Sequence, residues 1–180
     1  YGLTMPDKSI GRLKAFYGNF GMLVRAFAYI AVYGGAGLHA VTKHAVLNAN
    51  YIRARLKGVY PMPFDRICGH EFVCEGHWPD AEGIHALDIS KRLMDYDFHP
   101  PTNYFPLIVP EALLIEPTET ESKEACDAFV EAMLAIAQEA RENPDLLHDA
   151  PHKTPVGRVD DVRAAKQLVL CCRPVLDPEA

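Results

Sequence analysis

Several features that would announce a function class are missing from this 180-residue chain. It has no basic patch, and its formal net charge is -6, which argues against a protein that holds a nucleic-acid backbone. No signal peptide precedes the five cysteines; their number is odd and Cys171 and Cys172 are adjacent. A disulfide framework is therefore not expected, and a reducing, cytoplasmic compartment is. The most apolar run, Gly21 to Gly35, is interrupted by Arg25 and falls short of the ~20 residues that span a bilayer. It predicts a helix buried nearly all round and no membrane partner. Cys68, His70, Cys74 and His77 crowd together without the paired-cysteine knuckle of a zinc site. His70-Glu71-Phe-Val-Cys74 lacks the second histidine of a zinc-protease helix, and its Phe-Val centre favours a strand. No metal is expected. There is no internal repeat, and there is no initiator Met before Tyr1, so a processed or truncated product is expected.

What is present reads as a globular protein: 49% apolar and 23% charged residues. Basic groups dominate residues 1–60, whereas 111–149 is mostly acidic. Ser9 as N-cap, then Leu13, Phe16, Phe20, Leu23, Phe27 and Ile30 at helical steps, predict a first helix to Val32. Gly34 and Gly35 end it. A second helix over 37–57 carries the stripe Leu38, Val41, Ala45, Ala49, Ile52 and Leu56. A strand over 70–74 follows, then a turn-rich loop with the only tryptophan, Trp78, and a short amphipathic helix over 84–96 with Ile84, Leu87 or Asp88, Ile89, Leu93 and Tyr96 inward. Leu107–Val109 and Ala112–Ile115 are strand candidates. A helix opening at Glu116 and running to Glu142 has Thr118 and Glu121 at capping-box spacing and Ala125, Phe129, Ala132, Ile136 and Ala140 as its stripe. This order predicts an α+β fold: a small sheet with helices on one face (58–142), a long helical arm (1–57) before it and a surface-wrapping tail (143–180) after it. An arm this apolar calls for another surface to bury it.

Three segments are candidates for chemistry. In Tyr17-Gly18-Asn19-Phe20-Gly21, a phenol and an amide flank two glycines; the backbone there could approach a phosphate or carboxylate, or the helix could simply break against a neighbour. In His99-Pro100-Pro101-Thr102 the prolines stiffen the backbone that aims the histidine. The ring serves either a site or a rigid turn in solvent. Lys153, in His152-Lys153-Thr154, sits between Pro151 and Pro155 and reads as a surface lysine, not one desolvated for covalent chemistry.

Taken together, Lys8-Ser-Ile-Gly-Arg12, Ala15-Phe-Tyr-Gly-Asn-Phe-Gly21, Ala45-Val-Leu-Asn-Ala-Asn-Tyr51, His70-Glu-Phe72, Phe98-His-Pro-Pro-Thr102, Tyr104-Phe-Pro-Leu107 and Ile115-Glu-Pro-Thr-Glu119 resemble the P-protein of the glycine cleavage system. The likeness is to the C-terminal part of subunit 2 of its two-subunit prokaryotic form, and it runs over nearly the whole chain. The resemblance implies the small C-terminal domain of a fold-type I, aminotransferase-like enzyme. That enzyme decarboxylates glycine with pyridoxal phosphate and passes the aminomethyl group to lipoyl H-protein, working as a heterotetramer with subunit 1. It also implies that the cofactor-anchoring lysine and large domain lie upstream of the matching segment, so this portion alone is expected to be inactive. His99 and Thr102 are then expected at the mouth of the active site or the lipoyl channel, with Tyr17, Asn19 and His70 as cofactor-binding candidates. Another pyridoxal-enzyme small domain, from an aminotransferase or desulfurase, and a non-catalytic interaction domain are the competing expectations.

Overall fold

The computed structural model describes residue 2, residues 4–12 and residues 16–168. Leu13 of the expected stripe and the Cys171-Cys172 pair lie outside them. The described chain divides into two compact units, Tyr1–Lys43 and His44–Ala180. The division falls within the first helix, not after Lys57.

In the N-terminal unit, helix α1 (Phe20–Leu56) begins later in the chain than an N-cap at Ser9 would place it. Gly18 takes a positive φ of 99°, a conformation glycine adopts without steric cost. Asn19 Oδ1 then accepts the Met22 N–H at 3.4 Å, so this side chain caps the helix. The break expected at the paired glycines is present: Gly34 has φ 58° and ψ -176° inside an otherwise helical run. The expectation of a helix buried nearly all round is overturned. Phe20, Leu23, Phe27 and Ile30 are exposed, Phe27 by 74%, because no side chain among the described residues packs over them. The expectation that the run is too short is also corrected, since α1 is long and apolar enough to cross a membrane by length and composition.

The second unit holds the core. The last turns of α1 bury Ala49, Ile52 and Leu56, which is why they belong to this unit. A three-stranded antiparallel sheet has the order β1–β3–β2, with β1 Phe72–Glu75, β2 Thr102–Asn103 and β3 Ala112–Ile115. Phe72 pairs with Ile115 and Thr102 with Leu114. The α+β architecture is as expected, but β2 lies inside the proline loop, while Leu107 and Ile108 form no strand and are exposed by 87% and 81%. Their predecessor Tyr104 and their successor Glu111 both adopt positive φ, 60° and 47°, which turns the chain out of the sheet between β2 and β3.

Helix α2 (Ala86–Asp95) buries Ala86, Asp88, Ile89 and Leu93, so Asp88, not Leu87, faces inward. Helix α3 (Lys123–Glu142) starts after Ser122, whose hydroxyl accepts the Ala125 N–H at 3.2 Å. Thr118 does not cap it; its hydroxyl pairs with Thr120 at 2.7 Å. The loop around Trp78 is part of the core: the indole is buried, donates to the Val59 carbonyl at 2.7 Å and packs 4.9 Å from Tyr60. Tyr60 is fully buried and donates to the Met133 carbonyl at 2.8 Å; burial pushes its phenol well above the usual range.

The tail is fastened more deeply than a surface wrap. Short helix α4 (Asp145–His148) buries Leu147, and Ala150 is buried after it. Two buried carboxylates of α2 then hold the chain. Asp95 Oδ1 accepts the N–H groups of His152 at 2.7 Å and Lys153 at 2.8 Å. Asp88 Oδ1 accepts from Arg158 at 2.8 Å, and that guanidinium also reaches the Leu147 and Ala150 carbonyls. Helix α5 (Asp161–Lys166), capped by Asp160, is exposed.

Candidate functional site

The second unit contains a cavity of about 430 Å³, within the range of small-molecule sites. Four elements meet around it. Ile52 comes from α1, Thr102 from β2, Ile115 from β3, and Cys126 and Phe129 from the first turns of α3. Phe98 completes the apolar side by stacking edge-on to Phe129 at 5.4 Å. Of the stripe expected on α3, Ala132, Ile136 and Ala140 are buried as expected and Val130 and Met133 join them in the core, while Ala125 and Phe129 stay half-buried beside the cavity. Burial pushes the Cys126 thiol up, and the Glu121 and Asp127 carboxylates act in the same direction.

The other side is polar and open. His99, Thr102, Glu116, Thr118 and Glu121 all line it and are exposed. Two separate peptides singled out in the sequence, Phe98-His-Pro-Pro-Thr102 and Ile115-Glu-Pro-Thr-Glu119, thus face one cavity. They are brought together because β2 pairs with β3: Thr102 sits opposite Leu114, one residue before the second peptide. The prolines at 100 and 101 line the cavity next to His99, whose ring makes no hydrogen bond among the described residues.

The other predicted residues are placed differently. His70 precedes β1 and is exposed, so it does not share the buried face of Cys74. Its Nε2 lies 3.7 Å from Glu116 and 3.9 Å from Glu71, so it approaches the cavity through Glu116. Tyr17 and Asn19 belong to the N-terminal unit, where Tyr17 is exposed and Asn19 is the α1 cap. Sequence reasoning assigned no role to Asn48, whose amide reaches the Thr118 and Glu121 carbonyls. The available signal was its place in Ala45-Val-Leu-Asn-Ala-Asn-Tyr51, where a polar residue interrupts an apolar helix face.

Around Cys68, His70, Cys74 and His77, as elsewhere among the described residues, no group of three potential metal ligands comes together. Cys74 is buried, and burial pushes its thiol up to about 12. The Cys68 backbone is held at both N–H and carbonyl by the Asn50 amide.

A phosphate-bearing cofactor does not fit this lining. Among the described residues no lysine or arginine lines the cavity, and Glu116 and Glu121 would repel a phosphate. Nor does a described lysine supply a buried amine; none is buried. Lys153 is exposed, and its Nζ donates to the Asp95 carbonyl at 2.6 Å.

A family model described as "Glycine dehydrogenase, C-terminal domain" matches residues 41–153. Three similar curated proteins share the name "Probable glycine dehydrogenase (decarboxylating) subunit 2". That of Listeria welshimeri is 56% identical over 170 residues, covering 94% of this chain and 35% of the relative. That of Lysinibacillus sphaericus is 57% identical over 163 residues, covering 91% and 34%. That of Bacillus velezensis is 54% identical over 170 residues, covering 94% and 35%. The chain spans about a third of the length of these relatives.

Proposed function

This chain belongs to the glycine dehydrogenase C-terminal domain family, and on that premise we propose that it forms the C-terminal third of a glycine-decarboxylating enzyme's second subunit. In this reading the domain is the small domain of an aminotransferase-like, fold-type I enzyme. It works in the cytoplasm with a first subunit in a heterotetramer, and hands an aminomethyl group to a lipoyl-bearing H-protein. The observation that carries the proposal is the shared cavity: the His99–Thr102 and Glu116–Thr118 peptides converge on one apolar-backed opening.

Pyridoxal phosphate, when bound, supplies the electron sink for loss of CO2 from glycine. The lining argues that its phosphate and its anchoring amine are held by the other two thirds of the enzyme. This chain's part is to shape the entrance. Phe98, Phe129 and Ile52 offer an apolar wall to a hydrocarbon arm and exclude water. His99, fixed by two prolines, offers a ring nitrogen that can give or take a proton at the opening, and the Thr102 hydroxyl orients polar groups beside it. His70 acts indirectly, through Glu116. Tyr17 and Asn19, which belong to the N-terminal unit, are the cofactor-binding candidates of that unit. The exposed apolar face of α1 supports burial against another part of the assembly, in keeping with the words "subunit 2" in the relatives' names.

The test is His99→Ala in the complete two-subunit enzyme, with glycine-dependent CO2 exchange measured in the presence of lipoylated H-protein. Turnover should fall about a hundredfold while the melting temperature stays close to that of the parent. Unchanged turnover would remove His99 and the cavity from the reaction.

A further inference from the structure

One side of the cavity is a segment without regular structure, and a single side chain from α1 grips it. Residues 116–122 join β3 to α3 and lie in neither a strand nor a helix. Glu116, Pro117, Thr118 and Glu121 of this segment line the cavity. Asn48 Nδ2 donates to the Thr118 carbonyl at 3.0 Å and to the Glu121 carbonyl at 3.1 Å. Those two carbonyls stand at the ends of one turn, also closed by the Glu121 N–H on the Thr118 carbonyl at 3.3 Å. A primary amide carries two hydrogens on one nitrogen, so the group matches two acceptors side by side. Ile52, one helical turn further along α1, lines the cavity. Asn48 and Ile52 thus share a helix face: one supplies apolar surface, the other fixes the rim above it.

Asn50, two residues along and on a different face, makes an informative contrast. Its amide holds the Cys68 backbone at 3.0 Å and 2.9 Å, and neither residue lines the cavity. Both asparagines tie a loop to α1, but only Asn48 ties one that borders the site.

We infer that Asn48 is a positioning residue of this site, holding the Glu116–Glu121 wall in the place where the incoming lipoyl arm meets it. The inference rests on the cavity's role in glycine decarboxylation. Loss of the amide frees the turn, so the arm must order it on arrival, and the cost falls on binding more than on the chemical step.

The experiment compares Asn48→Ala, Asn48→Gln, Asn50→Ala and His99→Ala in the complete two-subunit enzyme. Glycine-dependent CO2 exchange is titrated with lipoylated H-protein, and hydrogen exchange is followed over residues 117–122. Asn48→Ala should raise KM for H-protein about tenfold with kcat held within about twofold. Asn48→Gln, which keeps both donors, should recover part of that loss. It also carries the test if the alanine variant fails to fold, by showing the same KM shift at smaller size. Asn50→Ala should lower the melting temperature and leave KM unchanged. The inference is overturned if His99→Ala is impaired while Asn48→Ala leaves KM unchanged, or lowers kcat alone, or if Asn50→Ala raises KM equally. Intact turnover in His99→Ala sinks the functional reading instead. Hydrogen exchange then decides the role of Asn48 independently: faster exchange at 117–122 in Asn48→Ala retains it as the wall's anchor, and unchanged exchange removes it.

Discussion

Removing the Asp95 carboxylate should detach the tail, and the size of the loss can be worked from its partners. The side chain is 1% exposed and lies beside Arg92, whose Nη1 donates to Oδ2 at 3.1 Å. The other oxygen accepts two backbone N–H groups, from His152 and Lys153. Arg92 keeps a second, bidentate partner in Glu139 at 2.9 Å on each arm, so Asp95→Ala does not leave it uncompensated. What alanine leaves are two orphaned N–H donors and a small cavity. At about 1–3 kcal/mol for each donor, discounted because water can reach a tail segment, the cost is about 3 kcal/mol. Asp95→Asn keeps an acceptor for both N–H groups and loses the charge assistance and the Arg92 contact, at a cost of about 1.5 kcal/mol. Urea unfolding followed by fluorescence reads both values, because Trp78 is the only tryptophan and is buried in the core. Equal losses for the two variants, or a loss below about 1 kcal/mol for alanine, would refute the assignment of the clamp to the N–H pair.

Two further outcomes follow from the same structure. Burial acts to raise the Asp95 and Glu139 carboxyls, but the N–H groups at Asp95, and Arg92 with Tyr96 at Glu139, outweigh it and hold both below their usual values of 3.8 and 4.5. With folded-state values below unfolded ones, the stabilisation is complete above the unfolded range and drains away as pH falls through the lowered values. Unfolding free energy should therefore fall as the buffer is acidified below about pH 4.5, and Asp95→Asn should flatten that slope in urea titrations across pH. Gly76→Ala should destabilise the domain by about 1–3 kcal/mol, since a Cβ there would stand 2.9 Å from the Ala86 Cα and 3.1 Å from Leu113. Gly69→Ala, where an added Cβ meets nothing within 4 Å, is the matched control, and similar melting temperatures for the two variants would contradict the packing at Gly76.

The elements written in local periodicity were legible. The α1 stripe from Ala49 to Leu56, the α2 stripe and the Ala112–Ile115 strand all follow from side chains that must bury on one face. The break at Gly34 was equally readable, because only glycine tolerates that φ cheaply. Features set by distant partners were not. β2 is two residues long and exists because β3 offers it hydrogen bonds, so no alternation marks it. Ser122 takes the helix cap from Thr118 because α3 begins only at Lys123, and Thr118 turns its hydroxyl to Thr120 and its carbonyl to Asn48 instead. The site was half legible: stiff prolines around His99 pointed to it, but the meeting of that loop with Glu116 depends on strand register. The buried acids of α2 carried a faint signal, a charge inside an apolar stripe, whose partners lie some sixty residues away on the tail.

The Asp88 bond to Arg158 has a practical consequence for anyone shortening this chain. The match to the family closes at residue 153, a border that retains the Asp95 clamp but discards the guanidinium. Trimmed there, the molecule would keep a secluded carboxylate without its guanidinium partner, and the Leu147 and Ala150 carbonyls would each lose the bond from Arg158. A cut placed beyond Arg158 keeps both fastenings intact.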